Sequence, residues 1–578
     1  MLIVSMAAML AATTMNEVNV MNSHTLPHEI PSSYDVVVVG GTPAGITAAI
    51  AAAREGASVV LLERSEHIGG LPANGLGATD IKTRAATGGL FRQFVGRVRA
   101  HYETTLGPDA AALRDCRDGY RFEPSVAEKI LEGMLAEHPG IVVRRHRQFD
   151  ALPERVTREG SRLCEIRVLD RDTGRLEAYA AHTFIDATYE GDLAAAAGVP
   201  FRLGRESRDE HGEPMAGRIY KVWEGEVGEG STGEADEAIQ AYNYRLCLTT
   251  DPARRVPVSK PASYRREEYS SLVDDVRLSR APVPPGYYHW EHDWEGLGRV
   301  FNIARLPGGK TDANNQHAAF LSSDLPEENW PWPTADWAWR DAFAARLRDY
   351  TLGLIWFAQN DPELPESYRQ KAAKWGLAKD EYADNGHFPR QVYVREARRI
   401  VGGHTFSARD TLPVGPGLRP PVHSDSVTGS HYDIDSHACH KRESGRVHIE
   451  GFISYPTAPY TVPYRIMVPE KVDGLLVPVA VSATHIGYGS LRMEPCWMAL
   501  GEAAGLAAIL SQRAGTAVRD VSIPALQERL LDHGAVLAYV SDVGIEDPRF
   551  RAVQRLVLQG RVPGPALEPK PAAGKGSP

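Results

Sequence analysis

The chain has 578 residues, 43% hydrophobic and 24% charged, with a formal net charge of -10. That length exceeds what one hydrophobic core serves, so two domains with excursions are expected within an ordinary soluble composition. The acidic balance argues against a nucleic-acid partner, because no basic surplus is available to neutralise phosphates.

Cys116, Cys164, Cys247, Cys439 and Cys496 are scattered and odd in number, without CxxC or finger spacing. Neither a disulfide framework nor a zinc site follows, and reduced thiols in a cytoplasmic protein fit best. The first 14 residues are apolar with no Lys or Arg before them. They are too short for a membrane span and lack the positive region of an export signal. A start at Met15 or Met21 is an equal reading; export is the alternative, and no membrane partner is expected.

Residues 34–63 form the first unit. An apolar strand at 34–39 runs into the turn Gly40-Gly41-Thr42-Pro43-Ala44-Gly45, then an Ala-rich helix at 46–54 and a strand at 58–62 that ends on Glu63. A βαβ unit with a Gly-rich first turn and an acid about twenty residues on is the arrangement that binds a dinucleotide. Gly40 permits the turn, Gly45 allows close helix–strand packing, and the helix N-terminus offers N–H groups to a pyrophosphate. Glu63 is placed to accept from the adenosine ribose. Thr42 stands where the usual pattern has its second glycine; its Cβ crowds the phosphate approach, while its hydroxyl offers a hydrogen bond in return.

A second Gly-rich loop follows at Gly69-Gly70. An amphipathic helix is predicted at 125–137, and strands at 141–145, 162–170 and 176–181. Another strand at 182–186 carries Asp186-Ala187-Thr188 into a turn and helix. Residues 206–445 lose the βα alternation, and eight of the ten tryptophans lie between Trp290 and Trp375. Beyond them, 475–481 reads as a buried strand and 495–510 as an Ala/Gly-rich helix. The predicted division is a tail at 1–33, a nucleotide-binding part at 34–205, an inserted substrate domain at 206–445, a returning part at 446–515, C-terminal helices at 516–560 and a disordered tail at 561–578. No internal repeat is present, and no second GxGxxG in 206–445 suggests a separate nicotinamide-dinucleotide domain.

Several segments carry a family likeness: the first βαβ unit, Gly69-Gly70, FIDATYEGDLAAAAGVPF, AYNYRLCLT, LPGGKTDANN, HFPRQVYVREARRIVGG and THIGYGSLRMEPCWMALGEAAGLAA. On these the chain resembles the FAD-dependent oxidoreductases often labelled xanthan-lyase-like flavoproteins, within the glutathione-reductase-type group. The resemblance covers about residues 34–510. It implies an α/β fold in which a Rossmann-like FAD-binding domain carries a large inserted α+β substrate domain. It also implies noncovalent FAD, a small-molecule substrate and an electron acceptor it does not name. Expected cofactor contacts are Gly40, Thr42, Pro43, Ala44, Gly45, Glu63, Arg64, Gly69, Gly70, Asp186, Ala187, Thr188, Met493 and Glu494, with the main chain near 147–149 on adenine. Residues 487–494 lead into a helix with Pro495 at its first turn, whose N–H groups suit the flavin edge where negative charge gathers. No Asp precedes that helix, so the ribityl contact is left open.

A flavin carries out hydride or electron transfer itself, and the protein positions substrate and moves protons. His485, just before the helix expected at the flavin, is the first candidate base; a loop hydrogen bond is its other reading. Arg492 suits either the reduced flavin or a pairing with Glu494. Arg395 shares a helical face with Arg399 or a strand face with Tyr393, and its guanidinium fork can clamp a carboxylate or a hydroxyl pair. His431, Asp433, Asp435, His437 and Cys439 alternate as on one strand face. A polar strand lining the cleft, with His437 on substrate, is preferred over a metal there. Trp290, Trp294, Trp330, Trp332, Trp337 and Trp339 offer stacking surfaces for sugar rings or serve as core. The expected reaction is hydride removal from a C–H beside oxygen or nitrogen to flavin N5, with a sugar or glycoside preferred. Alternatives are desaturation of a carboxylate clamped by Arg395, a redox-neutral lyase or isomerase, and a flavin binder without catalysis.

Overall fold

A computed structural model describes residues 32–107, 111–221, 225–282 and 296–561. Most of both expected tails, with Trp290 and Trp294, lies outside the described residues. The central sheet is built from β1 (Ser32–Val39), β2 (Val59–Leu62), β3 (Ile141–Arg144), β4 (Arg147–Gln148), β5 (Val156–Glu159), β6 (Arg162–Asp170) and β7 (Arg175–Asp186). Its order is β3-β2-β1-β7-β6-β4, with β5 paired to β6. β1 runs parallel to β2 in register Val36↔Val59 and parallel to β7 in register Val36↔Thr183. Its valines are buried on both faces: Val36 and Val38 enter one hydrophobic cluster, Val37 and Val39 another. A continuous Val run suits such a two-sided strand.

The βαβ unit forms where the sequence predicts it, with helix α1 at Pro43–Arg54. Residues 176–186 make one strand rather than two, β7, which pairs with β6 around a turn at Gly174, where φ is +71°. The helix predicted at 125–137 spans Pro124–Ala136. The predicted strand 475–481 is a correction: only Leu475–Leu476 pairs, parallel to β7. Pro478 has no N–H for a ladder. The backbone beyond Leu476 is held instead by Val477 N–H on Met467 O (2.9 Å) and Ile400 N–H on Ala480 O (3.0 Å).

Residues 206–445 carry a five-stranded antiparallel sheet in the order 255–256, 376–378, 246–249, 310–315, 301–306. The helix Trp337–Asn360 shares one hydrophobic cluster with β1 and with the closing helix Glu494–Ala514. The described tryptophans are packing residues: Trp339 stacks on Phe343, Trp330 meets His440 edge-on, and Trp332 Nε1 donates to Glu190. No described helix is long and apolar enough to cross a membrane.

Candidate active site

The turn after β1 is shaped by what its glycines exclude. Gly40 has φ +104°, and a Cβ there would sit 2.9 Å from the carbonyl of Ala187. A Cβ on Gly45 would lie 2.0 Å from Gly40 O. Thr42 caps α1: its Oγ1 accepts from Gly45 N–H (3.2 Å) and donates to Ala187 O (2.8 Å). The hydroxyl expected to reach a phosphate is therefore committed to the protein. Pro43 and Ala44 occupy the first, buried turn. The Gly69-Gly70 loop closes over the turn, Gly69 N–H donating to Gly41 O (2.7 Å). A Cβ on Gly70 would lie 2.9 Å from Pro43 Cδ.

Glu63 stands at the end of β2, half-buried. It accepts from Gly41 N–H (2.8 Å) and from the N–H and hydroxyl of Ser65 (2.8 and 3.0 Å). A carboxylate has about four acceptor positions, which leaves room for a ribose hydroxyl. Arg64 lies 4.0 Å over Trp337 and donates to Gln148 and Asp341. Phe149 O, near the expected adenine position, accepts from Trp337 Nε1 (2.9 Å). Asp186 and Thr188 build the turn after β7. Asp186 accepts from Thr188 N–H and Oγ1 and from Ala194 N–H, and burial pushes its carboxyl up to about 6.

At the far side of this cradle, Met493 caps the closing helix and Glu494 is its first residue. Tyr189 Oη accepts from Leu71 N–H (3.0 Å) and donates to Glu494 Oε1 (2.6 Å). Glu494 Oε2 and Trp497 Nε1 are buried with no hydrogen-bond partner among the described residues. Two buried polar atoms left open cost free energy unless a ligand meets them. Burial pushes the Glu494 carboxyl up to about 8, so it holds its proton at neutral pH. An open buried acid thus stands at the start of the helix that no Asp precedes.

Two residues before Glu494, Arg492 opens a second cluster. It donates to Tyr393 Oη (3.1 Å) and to Asp435 Oδ2 (2.7 Å). The guanidiniums of Arg395 and Arg245 lie 4.6 and 5.4 Å over the Tyr393 ring. Arg245 pairs with Asp312 (2.5 Å) and Asp80 (3.1 Å), and Arg395 with Asp324 (2.9 Å). His437 Nδ1 lies 2.9 Å from Asp324 Oδ2, and its Nε2 is 3.5 Å from Asp435 Oδ2. Burial opposes ionisation of Asp435, yet His437 and Arg492 hold its carboxyl below the usual carboxylate range. Asp324 is held down likewise, against burial, by Arg395 and His437. Asp324 also lines a cavity of about 250 Å³ with Asn315, Ser322, Tyr350, His440 and Phe452.

The structure thus brings together Arg395, Arg492 and His437. His485 lies beside them, joined through Ser436 and Glu396. It is the first residue of the helix His485–Leu491, with Nδ1 on Glu396 (2.8 Å) and Nε2 on Ser436 Oγ (3.1 Å). Both ring nitrogens are engaged. The alternation at 431–439 is a further correction, since only Ile434–Ser436 is strand. His431 pairs with Thr83, Asp433 with Lys82, and Asp435 with Arg492, so these groups do not converge. Residues 393–398 are neither helix nor strand. Arg245, Asp324 and Tyr189 carry no signal of their own in the sequence, and Tyr393 stands out only as a neighbour of Arg395. The one signal for Arg245 was its place in AYNYRLCLT.

A mixed sheet with a parallel core, a glycine cradle at a helix N-terminus and a buried open acid at a second helix start define a dinucleotide-binding α/β protein. The model of the FAD-dependent oxidoreductase family matches residues 35–530, and the chain belongs to that family. It is an enzyme of this kind with FAD as cofactor. Over 38 residues it is 63% identical to an uncharacterized protein in the nifH2 5′ region of Methanosarcina barkeri, spanning 7% of this chain and 20% of that one. It is similar at 19% identity (TM-score 0.20) to 3-ketosteroid-delta4-(5alpha)-dehydrogenase from Rhodococcus jostii RHA1, over 31% of this chain and 52% of that one. It is also similar at 19% identity (TM-score 0.21) to the flavin-dependent monooxygenase PieE in complex with FAD and substrate, over 30% and 34%.

Proposed function

We propose that the enzyme oxidises a small, uncharged, polyhydroxylated substrate such as a sugar or glycoside, removing hydride from a C–H beside oxygen. The observation that carries this reading is the charge balance around Tyr393. The three guanidiniums of Arg245, Arg395 and Arg492 are already paired with four carboxylates, Asp80, Asp312, Asp324 and Asp435. Arg395 also donates to Asn243 (3.0 Å) and Asn315 (3.1 Å). A guanidinium so engaged offers no fork to a substrate carboxylate, whereas hydroxyls exchange hydrogen bonds with such a network without importing charge. Residues 206–445 form the substrate-facing part in this proposal, and the cavity at Asp324 supports it.

The N-terminus of α1 would hold the pyrophosphate, Glu63 the ribose and Glu494 the ribityl chain. Bound noncovalently, FAD supplies the hydride acceptor. His437 takes the substrate hydroxyl proton at Nε2. Asp324 accepts from Nδ1–H, which leaves the Nε2 lone pair of the neutral ring for that proton. Arg492 keeps positive charge beside the closing-helix N-terminus, where developing negative charge is favoured. His485 acts as a positioning residue through Glu396 and Ser436.

The test is anaerobic mixing of the purified holoenzyme with neutral polyols and glycosides and, separately, with amino and acyl carboxylates. Bleaching of the flavin by the neutral set is expected, and His437→Asn should slow it by about 10²–10⁴-fold at unchanged FAD content. Bleaching by carboxylates alone would replace this reading with desaturation. An undiminished rate in His437→Asn would remove the proposed base.

A further inference from the structure

We infer that His404, Asp410 and His423 form a site for a divalent transition-metal ion of the zinc type, away from the flavin cradle. Their ligand atoms all lie within 4.8 Å of one another. His404 Nε2 is 3.1 Å and His423 Nε2 2.9 Å from the same oxygen, Asp410 Oδ1. Bonds of about 2.0–2.2 Å to imidazole nitrogen and carboxylate oxygen put tetrahedral ligands a little over 3 Å apart, so both edges from Asp410 are already near ligand spacing. Two imidazoles and one carboxylate are a borderline donor set, which prefers zinc-like ions to magnesium or calcium.

The carboxylate is oriented before any ion arrives. Asp410 Oδ2 accepts from the N–H (2.7 Å) and hydroxyl (3.1 Å) of Ser407 in the capping box of the helix Ala408–Thr411. His423 N–H donates to Thr461 Oγ1 (3.0 Å). Asp410 is buried and His404 half-buried, so three protein ligands leave an outward position for water.

Position suggests the use. The three residues bracket residues 411–422, a stretch rich in Pro and Gly that exposes Val414 and Leu418. An ion here would clip both ends of that loop, where loop closure otherwise costs entropy. It would also fix the backbone beside the positioning helix, since Phe406 O accepts from Thr484 N–H (2.8 Å) and Glu213 accepts from both Ala408 N–H and Thr484 Oγ1.

The test uses the full chain, stripped with chelator and dialysed, then titrated with Zn²⁺ at pH 7.5, with metal content and thermal midpoint as readouts. Wild type should bind one equivalent with a raised midpoint. In His404→Asn/His423→Asn, which keeps the Asp410 cap, affinity should fall by at least about 100-fold and the midpoint should no longer respond. Equal stoichiometry and affinity in wild type and the double variant would assign the zinc to other histidines and overturn the site. Absence of binding in a folded wild-type chain would overturn it as well.

Discussion

At the scale of single residues, Thr42 shows how a motif departure is absorbed. Its hydroxyl caps α1 and ties the turn to Ala187, so its part is in stability. Thr42→Ala should cost about 1 kcal/mol, the ordinary value of an N-cap, read as a lower urea midpoint, while the flavin-to-protein absorbance ratio is unchanged. Glu494 makes a second prediction. Its carboxyl is pushed from an ordinary 4.5 up to about 8, chiefly by burial. Between those values the folded chain keeps a proton that the unfolded chain has released. This contribution to stability is therefore full below pH 4.5 and is lost as pH rises through about 8. Urea midpoints of flavin-free protein should decline over that interval more steeply in wild type than in Glu494→Gln; parallel profiles would show the acid to be ionised.

At the scale of elements, α1 and the closing helix meet almost backbone to backbone. A Cβ on Gly501 would lie 2.1 Å from Ala44 O, and one on Gly505 2.2 Å from Ala48 O. Gly501→Ala should destabilise by about 1–3 kcal/mol and lower FAD content, because α1 cannot shift without moving the cradle. Gly133→Ala, in an exposed stretch of helix with open space around it, should instead stabilise by about 0.5–1 kcal/mol. Chemical denaturation of both variants decides. The βαβ unit and β6 were legible because a strand, a Gly-rich turn and an Ala-rich helix are local patterns. The valines of 475–481 predict a full strand, but Pro478 offers no N–H and pairing ends at Leu476. The arginine cluster was legible only in part: Arg395, Arg492 and His437 stand out as polar residues in apolar surroundings. Arg245 and Asp324 acquire meaning only when the chain returns on itself, and no spacing rule carries that.

At the scale of the whole molecule, one hydrophobic cluster joins the nucleotide-binding sheet to the helices of the 206–445 segment. The segment's cavity therefore rests on the same frame as the glycine cradle. Trp330, Trp332, Trp339, Trp375 and Trp497 belong to or pack against that frame. The five scattered cysteines are free thiols. The most direct test is the visible spectrum of the purified protein, taken again on the supernatant after acid precipitation. A flavin band that passes to the supernatant is the expected result and marks a noncovalent flavin. A protein that is colourless and fails to take up added FAD would contradict it.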